Sequence, residues 1–504
     1  MRFDELLAGA AGARIVGDPA TEIASLAYDS RTAGPGTLFF CVPGEKRDGH
    51  DFATQVVAAG AAALVVEREL KVAAPQAVVA DARAAMAPVA ARFQSDPTAE
   101  LRVAAVTGTN GKTTTAFLLR QILEASGTKC GLLGTVKQVV GGLEEEVVRT
   151  TPEAIDLQAT FRRMREGGDR ACAMEVSSHA LILHRVDAIH FEVAIFTNLT
   201  QDHLDFHADM EDYFQAKRKL FAELGPGTSI VNVDDPHGRR LAAEFECVTF
   251  SAEGNEANFI ARKVRLGAAG AEFEVAEGAG GQALAAEPVP PRSPPAGVVA
   301  VRTGLPGHFN VANALGAFAA AVAMGVGPEQ AAAGLAAAEA PPGRFEPIDE
   351  GQGFAVLVDY AHTPDSLENV LRAARRLTDG RLISVFGAGG DRDKDKRPKM
   401  GRAGAELSDL VIVTSDNPRS EEPAAIVAEV AAGAEDGLEV EVEVDRRAAI
   451  AAALARAEAG DTVVIAGKGH EQGQEFEGGR KIPFDDREVA REELRRLVER
   501  AGAA

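Results

Sequence analysis

The sequence is poor in cysteine. Its 504 residues include four, Cys41, Cys130, Cys172 and Cys247, which lie far apart and form no Cys-x-x-Cys pair. This pattern argues against a disulfide or zinc framework and favours a reduced, cytoplasmic protein. Long hydrophobic runs are also missing. No N-terminal stretch resembles a signal peptide and no segment reaches membrane-spanning length, so we expect no membrane insertion.

Positive charge is scarce as well. The chain has 53 basic and 75 acidic side chains, which gives a formal net charge of −22. An excess of negative charge argues against generic binding to nucleic acid or to anionic membranes, and otherwise it mainly favours solubility. Local arginines and lysines can still bind an anionic substrate. The length of 504 residues predicts two to four domains.

A glycine-rich loop is the most informative segment of the chain. Residues 106–115 read VTGTNGKTTT, between the apolar run Leu101–Val106 and a helical pattern that starts at Ala116. A strand, a glycine loop, a lysine, a hydroxyl and a helix form a cradle for a nucleoside triphosphate, in which Lys112 supplies a point charge and Thr113 reaches Mg²⁺. The strict motif requires glycine at position 106, which is valine here, so this variant indicates a particular class of ATP-using proteins.

Short apolar runs alternate with helical segments along most of the chain. We predict strands at residues 38–42, 62–67, 77–80, 101–106, 172–176, 193–198, 230–234, 355–359, 382–386, 410–414 and 462–466. We predict helical sequence at residues 52–59, 83–94, 116–123 and 310–338. Residues 254–303 interrupt the alternation with an antiparallel excursion, including 271–275, and a proline-rich loop at 288–295. The pattern predicts an α/β protein with a doubly wound parallel sheet.

Two polar segments follow predicted strands near the glycine loop. Glu175, in EVSSH, is well placed to hold Mg²⁺, although in isolation it would more often be a solvated carboxylate at a strand end. In TNLTQDHLDFH, His203 is a candidate metal ligand, whereas His207 is equally well explained as a turn residue. Lys217 and Lys219 follow on a predicted helix, where a solvated cationic face is the simpler interpretation.

The C-terminal part carries further candidates. Arg344 suits a phosphate clamp and Asp359 could accept hydrogen bonds from ribose hydroxyls, but neither residue is decisive alone. Three turns follow predicted strands, and loops at the carboxyl ends of parallel strands are where ligands bind in open α/β sheets. The charged and amide side chains that we expect at this edge are Arg392, Asp416, Asn417, Arg419 and Glu471. Such a set complements a zwitterionic amino acid that carries an additional carboxylate.

Nine motifs together resemble the Mur ligases, from Asp29 almost to the C-terminus. They are TGTNGKTT, EVSSH, TNLTQDHLDFH, GHFNVANALGA, PGRFE, DYAHTPDSLE, GGDRDKDKRPKMG, DNPRSEEP and GKGHE. The first motif alone is shared with folylpolyglutamate synthases and cyanophycin synthetase. The combination of DNPRSEEP with GKGHE is far more specific.

The resemblance implies three domains: an N-terminal UDP-binding domain (1–98), a central P-loop-type ATPase domain (99–340) and a C-terminal Rossmann-like amino-acid domain (341–504). It implies an ATP-dependent amide ligase of peptidoglycan precursor synthesis, in which the D-glutamyl carboxylate of UDP-N-acetylmuramoyl-L-Ala-D-Glu becomes an acyl phosphate and an amino acid then displaces phosphate. Mg²⁺ is the implied cofactor, ATP a co-substrate, and a monomer without a nucleic-acid partner the expected state.

The resemblance also assigns residues to roles. The ATP-binding set is Gly108, Thr109, Asn110, Gly111, Lys112, Thr113, Thr114, Asn313, Arg344 and Asp359. The set for the UDP-muramoyl dipeptide is Ser30, Thr150, Thr151, Ser177 and Arg185. The amino-acid set is Arg392, Asp416, Asn417, Pro418, Arg419, Gly467 and Glu471. The implied magnesium ligands are Thr113, Glu175, His203 and Lys217 as a carbamate, and the implied catalytic residues are Lys112, Glu175, His203 and Lys217.

The chain differs from some of its relatives at two places in the N-terminal half of its sequence. Leu183 stands where some relatives have glutamine, so that substrate contact is not carried over. Residues Glu45–Arg47 occupy a uridine-side loop that varies between relatives, and their contacts are assigned only weakly.

Arg419 bears on the choice of amino acid. Meso-2,6-diaminopimelate differs from L-lysine by one terminal carboxylate, and Arg419 supplies a cation for that group. We therefore predict diaminopimelate, with a lysine-adding ligase as the alternative. A folylpolyglutamate synthase-like ligase would share the central domain but gives no reason for the N-terminal one. A non-catalytic nucleotide-binding module would need neither the metal-ligand loop nor the charged pocket.

Overall fold

The computed structural model describes residues 1–10, 12–44, 47–145, 147, 149–267, 270–278, 297–434 and 440–502. Glu45, Lys46 and the proline-rich loop predicted at 288–295 lie outside these residues. The chain divides into two compact units. The first comprises Met1–Thr107, Gly127–Ala194 and Ala216–Thr228. The second comprises Gly108–Ser126, Ile195–Gln215 and Ser229–Ala504.

Helices and strands alternate through both units. The helices are α1 (Phe3–Leu7), α2 (Ala53–Ala58), α3 (Ala82–Phe93), α4 (Lys112–Ala125), α5 (Ala154–Glu166), α6 (Ser178–Ile182), α7 (Met210–Ala222), α8 (Pro236–Glu244), α9 (His308–Ala323), α10 (Pro328–Ala337), α11 (Pro364–Arg375), α12 (Lys396–Leu407), α13 (Pro423–Ala431), α14 (Arg446–Arg456) and α15 (Asp486–Gly502). Short 3₁₀ turns lie at Gly49–Phe52, Pro97–Ala99 and Glu477–Gly479.

The strands are β1 (Arg14–Val16), β2 (Ser25–Ala27), β3 (Thr37–Phe40), β4 (Ala63–Val66), β5 (Gln76–Val78), β6 (Arg102–Thr107), β7 (Cys130–Leu133), β8 (Gln138–Val140), β9 (Leu143–Glu145), β10 (Ala171–Glu175), β11 (Phe191–Phe196), β12 (Thr228–Asn232), β13 (Val248–Ser251), β14 (Phe259–Gly267), β15 (Gly270–Glu277), β16 (Val299–Thr303), β17 (Glu346–Pro347), β18 (Ala355–Asp359), β19 (Leu382–Phe386), β20 (Leu410–Val413), β21 (Val440–Val442), β22 (Thr462–Ala466), β23 (Gly473–Glu475) and β24 (Lys481–Pro483). Most connections between neighbouring parallel strands contain a helix, as right-handed βαβ crossovers require.

The first unit contains an N-terminal sheet with the order β1-β5-β4-β3-β2, in which only β1 is antiparallel. Both faces of this sheet are apolar and covered, because alternate residues of β3 and β4 enter two separate clusters of buried side chains. Farther along the chain, β10 pairs in parallel with β6 and with β7. That register places Glu175 beside Val106, at the carboxyl ends of the two strands.

The second unit contains β12, β13 and β14 in parallel, followed by the antiparallel strands β15 and β16. Its C-terminal sheet has the order β17-β18-β22-β19-β20-β21. Only β17 is antiparallel there, so the loops after β18, β19, β20 and β22 emerge at one edge. This edge carries the predicted amino-acid residues.

The structure confirms the predicted α/β class. Strands β18, β19 and β22 have the predicted bounds, and β15 confirms the antiparallel excursion. The helical sequence predicted at 310–338 forms two helices, α9 and α10, which are separated at Gly325, whose φ of 86° lies in the left-handed region. Within the described residues, no helix is long and apolar enough to cross a membrane.

Candidate active site

The glycine loop connects β6 to α4 and is shaped by two glycines. Gly108 has a φ of 148°, and a Cβ there would lie 1.9 Å from Oγ1 of Thr197. Gly111 has a φ of 85°, and a Cβ there would lie 2.3 Å from Oδ1 of Asn313. Lys112 begins α4, and its Nζ donates to the carbonyls of Gly108 (3.0 Å) and Thr109 (2.9 Å). The loop therefore has the compact backbone and the helix N-terminus that phosphate binding requires.

The segment after β11 lies directly against this loop. Thr109 N–H donates to the carbonyl of Asn198 (2.9 Å), and Asn110 N–H donates to Oδ1 of Asn198 (2.9 Å). Thr200 N–H donates to Oγ1 of Thr109 (3.0 Å). Three backbone N–H groups, with Oδ1 and Nδ2 of Asn198, thus hold the two segments together. His203 follows a few residues later with a φ of 55°.

Arg344 and Asp359 are the two predicted nucleotide contacts of the C-terminal part. Arg344 donates from one terminal nitrogen to Oγ1 of Thr113 (3.1 Å) and packs over the ring of Tyr360, 4.5 Å from the centroid. Its Nε is buried and has no hydrogen-bond partner among the described residues. Asp359 accepts from the N–H groups of Phe345 (2.7 Å) and Ala361 (2.8 Å), which leaves a lone pair on each oxygen. Burial raises the pKa of Asp359 to about 6, against the opposing charge of Arg344.

Glu175 is almost completely buried in the first unit. Its Oε1 accepts from Thr135 N–H (2.7 Å) and its Oε2 accepts from the Thr135 hydroxyl (3.1 Å). A Cβ at Gly134 would lie 2.6 Å from Oε1, so glycine is required beside the carboxylate. Thr135 was not singled out by the sequence reasoning, although it follows the apolar run of β7 and a glycine, which is a detectable signal.

Four of the predicted dipeptide residues lie together near Glu175. Thr150 Oγ1 is 3.0 Å from the hydroxyl of Thr135, and the Thr151 hydroxyl donates to the carbonyl of Glu175 (2.9 Å). Ser177 N–H donates to Oγ1 of Thr151 (3.3 Å), and Arg185 donates to the carbonyl of Thr151 (3.0 Å). The cluster therefore offers hydroxyls and a guanidinium to an anionic substrate.

Ser30, the fifth predicted dipeptide residue, lies elsewhere in the first unit, and Arg185 has an acidic partner there. Ser30 is a half-buried turn residue between β2 and β3, next to the paired Asp29 and Arg31. The hydrogen bond from Arg31 lowers the pKa of Asp29 to about 2. Buried Glu153 pairs with Arg185 (2.9 Å) and also with two further arginines, so Arg185 is only partly neutralised.

The edge of the C-terminal sheet contains a network around Asn417. Asn417 Oδ1 accepts from Nζ of Lys468 (2.9 Å) and from Glu475 N–H (2.9 Å), and its Nδ2 donates to Oε2 of Glu471 (2.8 Å). Lys468 also donates to Oε2 of Glu471 (2.9 Å) and is completely buried. The structure therefore brings Asn417 and Glu471 together as predicted, and it adds a cation that sequence reasoning missed although GKGHE contains it.

Arg419 is oriented by two acceptors at this edge. Its Nε pairs with Glu475 (3.2 Å) and one terminal nitrogen donates to the carbonyl of Gly390 (2.7 Å). Its φ of 52° is unusual for arginine and turns the chain after Pro418. Across the described ranges, the other terminal nitrogen donates no hydrogen bond. Arg392, in contrast, is about half exposed, and its nearest acidic group is Asp205 at 3.9 Å.

Asp416 and Gly467 complete the predicted amino-acid set. A Cβ at Gly467 would lie 2.6 Å from Oδ2 of Asp416, and the φ of 123° also favours glycine there. Burial opposes the ionisation of Asp416, but Lys468 and Arg446 bring its pKa below the ordinary value. Asp416 is therefore an anion close to the N-terminal end of the GKGHE turn.

Oxygen donors predominate among the predicted magnesium ligands. The two carboxylate oxygens of Glu175 each accept one hydrogen bond from Thr135, and carboxylate oxygens are hard donors of the kind that Mg²⁺ prefers. Thr113 offers a hydroxyl and His203 an imidazole in the second unit, while Lys217 is buried on α7. Among the described residues, no group of three or more His, Cys, Asp or Glu side chains forms a metal cage by itself. Each of these side chains, taken singly, has donor chemistry that suits Mg²⁺ where phosphate oxygens and water supply the other ligands.

Family models match three successive segments of the chain. The model described as Mur ligase family, catalytic domain, matches residues 22–103. The Mur ligase middle domain matches residues 106–321, and the Mur ligase glutamate ligase domain matches residues 343–469. These matches cover most of the chain in the order that the motifs predicted.

Curated relatives are similar over nearly their whole length. A UDP-N-acetylmuramoyl-L-alanyl-D-glutamate–2,6-diaminopimelate ligase from Streptomyces coelicolor is 48% identical over 493 residues, which cover 95% of this chain and 94% of the relative. A protein of the same name from Geobacillus kaustophilus is 46% identical over 482 residues, covering 93% and 94%.

Solved structures show the same architecture. A structure of a ligase of that name superposes with a TM-score of 0.68 at 32% identity and covers 99% of both chains. MurF from Acinetobacter baumannii gives 0.66 at 22% identity, covering 99% and 98%. Folylpolyglutamate synthase from Mycobacterium tuberculosis gives 0.60 at 18% identity but covers only 76% of this chain, and 92% of its own. The last two similarities concern the fold alone.

Proposed function

Because the chain belongs to the Mur ligase family, with its three-domain α/β architecture, we propose that it joins meso-2,6-diaminopimelate to the D-glutamate of UDP-N-acetylmuramoyl-L-Ala-D-Glu. ATP is consumed and ADP and phosphate are released. Relatives that carry this activity in their name are 46–48% identical over more than nine-tenths of the chain. The domain limits at residues 98 and 340 remain a prediction of the sequence.

The reaction needs a carboxylate to become a good acyl donor. The substrate carboxylate attacks the γ-phosphorus, ADP leaves, and the resulting acyl phosphate is opened by the amine of the amino acid with loss of phosphate. The N–H groups of the glycine loop and Lys112 would bind the phosphates. Arg344 would add a planar guanidinium beside Thr113 that donates hydrogen bonds to phosphate oxygens. Bound Mg²⁺ would offset charge on the phosphoryl group. Glu175, Thr113 and His203 are the side chains proposed to hold it.

Lys217 is proposed to carry a carbamate. Its side chain is almost completely buried, and α7 supplies a rigid support. A neutral lysine amine adds CO₂ to give an anion, which converts a cationic side chain into an oxygen ligand for Mg²⁺. The family resemblance supports this assignment.

Arg419 is the observation that carries the choice of amino acid. Glu475 and the carbonyl of Gly390 accept hydrogen bonds from two nitrogens of its guanidinium, which fixes the orientation of the group. The guanidinium retains further N–H donors for a carboxylate. Diaminopimelate has that second carboxylate and L-lysine does not. Lysine would leave these donors unpaired and would add an uncompensated positive charge. The amino and carboxylate groups at that end of diaminopimelate would be bound by Lys468, Asn417, Glu471 and Asp416.

Amino-acid-dependent ADP release tests the proposal. Purified protein with ATP, Mg²⁺ and UDP-MurNAc-L-Ala-D-Glu is given meso-diaminopimelate, L-lysine, L-glutamate or no amino acid. We expect diaminopimelate to exceed lysine by roughly 10³ in kcat/KM. Comparable use of lysine would favour the lysine-adding alternative. Glutamate-dependent release with a folate in place of the UDP substrate would favour the folylpolyglutamate synthase-like one, and no release in either assay would favour a nucleotide-binding module.

A substitution locates the preference within the pocket. Arg419→Ala is expected to weaken diaminopimelate use by about 10²-fold or more while the KM for ATP stays within about threefold. Arg447→Ala is the matched control, because Arg447 is a partly exposed arginine on α14 that pairs with Glu492 and Glu493. Equal losses toward ATP and diaminopimelate would contradict the role given to Arg419.

We further propose a cytoplasmic monomer. Its four cysteines are free thiols, three of them buried, which suits a reducing compartment. Light scattering on the purified protein tests the monomer, and a mass near twice 52.7 kDa would refute it.

A further inference from the structure

Lys396 is a buried cation for which the proposed reaction has so far no use. It is the first residue of α12, and its side chain is only 5% exposed. Its nearest acidic atom is Oδ1 of Asp202 at 3.9 Å, which is beyond hydrogen-bond length. Among the residues that the structure describes, its ammonium donates no hydrogen bond. The three N–H donors of this ammonium can therefore bind a ligand that provides acceptors.

Two chains of contacts connect this ammonium to the phosphate loop within the second unit. In the first, Thr109 binds Thr200, and Asp202 follows two residues later. In the second, Thr113 accepts from Arg344, whose guanidinium packs on the ring of Tyr360. Both chains end at the neighbours of Lys396.

The second chain continues through His362. The rings of Tyr360 and His362 are 4.6 Å apart, and Nε2 of His362 is 3.9 Å from Oδ2 of Asp202. Burial, with the charge of Lys396, lowers the pKa of His362 below its ordinary value. His362 is therefore neutral near pH 7, and Lys396 is the cation beside Asp202.

The segment that carries Lys396 is tied to the loop that carries Asp202. Gln201 donates to Asp393 (3.0 Å) and accepts from Lys399, and Arg392 lies 3.9 Å from Asp205. These contacts place the start of α12 between the phosphate loop and the amino-acid pocket. The terminal phosphoryl group must pass through that region if the proposed function holds.

We infer that Lys396 binds the γ-phosphoryl group of the nucleoside triphosphate and holds it during transfer to the substrate carboxylate. The carboxylate oxygen forms the new P–O bond, and the bond from the γ-phosphorus to the bridging oxygen breaks, with its electron pair leaving on ADP. The ammonium donates hydrogen bonds to non-bridging oxygens and gives up no proton. Asp202 positions the lysine from the side away from the phosphate.

A pair of nucleotides separates this role from a structural one. The β,γ-methylene analogue of ATP contains the γ-phosphoryl group and ADP does not, and both are titrated into the full-length protein with Mg²⁺ by calorimetry. We expect Lys396→Met to weaken binding of the analogue by about 10-fold or more and that of ADP by less than about twofold. Lys396→Arg keeps the charge and should retain the affinity for the analogue within about threefold.

Two controls make the outcome decisive. Lys394→Met removes an exposed lysine of the same segment, paired with Glu421, and should leave both affinities unchanged. Lys396→Gln provides a second neutral variant if the methionine variant does not fold. Equal weakening of both nucleotides would overturn the inference in favour of a structural lysine, and no weakening of either would overturn it as well.

Failure of the inference is distinguishable from failure of the proposed function, on which it rests. Absence of amino-acid-dependent ADP release by the wild-type protein refutes the function. If the wild type is active, trapping the acyl phosphate with hydroxylamine should give about 10²-fold less hydroxamate with Lys396→Met. A wild-type hydroxamate yield would refute the role of Lys396 alone.

Discussion

The buried ion pair between Arg446 and Asp486 allows a quantitative prediction. Arg446 donates from Nε to Oδ1 and from a terminal nitrogen to Oδ2 of Asp486, both at 2.7 Å, and both side chains are fully buried. The same guanidinium donates to the carbonyls of Ser415 (3.3 Å) and Ala466 (2.9 Å). These carbonyls precede Asp416 and Gly467, so the pair joins the two loops that carry these predicted amino-acid-binding residues.

Arg446→Met leaves the carboxylate of Asp486 buried without a partner. Breaking a buried pair in this way costs about 3–5 kcal/mol. Protonation limits the cost, because neutralising an aspartate with an ordinary pKa of about 3.9 requires about 4 kcal/mol at pH 7 and about 1.5 kcal/mol at pH 5. Burial without a partner favours the neutral carboxyl in the variant, so its stability falls as pH rises. We expect a loss of about 4 kcal/mol at pH 7 that shrinks by about 2–3 kcal/mol at pH 5.

Amide hydrogen exchange in peptides from β20 and β22 measures the change, since a single unfolding free energy is not well defined for a chain of several domains. A loss of 4 kcal/mol corresponds to about 10³-fold faster exchange. The double variant Arg446→Met/Asp486→Leu removes both charges and should recover most of the loss. Arg447→Met is the partly exposed control and should change exchange less than about fivefold. An equal loss at pH 5 and pH 7, or a double variant as unstable as the single one, would refute the reasoning.

Three further predictions concern the phosphate loop, the nucleotide pocket and the carbamate. Gly108→Ala places a Cβ 1.9 Å from Oγ1 of Thr197 and should weaken nucleotide binding about 10²-fold or more in a calorimetric titration, whereas Gly34→Ala, with open space around it, should not. Because burial raises the pKa of Asp359 to about 6, the local unfolding free energy of β18, measured by amide hydrogen exchange, should fall by about 2–3 kcal/mol as pH rises from about 4 to 6, and Asp359→Asn should lack that slope. Lys217→Ala should lower turnover about 10²-fold, with partial rescue by a short carboxylic acid, and full activity without bicarbonate would contradict the carbamate.

The fold was predictable where strands are buried on both faces. The residues of β18, β19 and β22 form apolar runs that end at polar or glycine-rich turns, and their predicted bounds agree with the structure. The strands β7, β8 and β9 were not predicted, because they are three or four residues long and are stabilised by neighbouring strands more than by local pattern. The break at Gly325 was missed because alanine-rich sequence continues on both sides of it.

The site was predictable as a set of residue types rather than as a set of contacts. Asn417 and Glu471 were expected at one edge, and they are hydrogen bonded there. Nothing local in GKGHE indicates that Lys468 is the residue that holds both of them. Arg419 was expected as a free cation, whereas Glu475 already compensates part of its charge.

The sequence by itself determined the family, the phosphate loop and the class of chemistry, because these depend on residue types at short spacings along the chain. Only the tertiary structure decided which charges are paired and which are left for a ligand. Arg446 is satisfied by Asp486, whereas Lys396 stands beyond hydrogen-bond distance from Asp202. The energy of a charge depends on its burial and on partners far away in the chain, and parallel β-α topology brings such partners to one sheet edge only after folding.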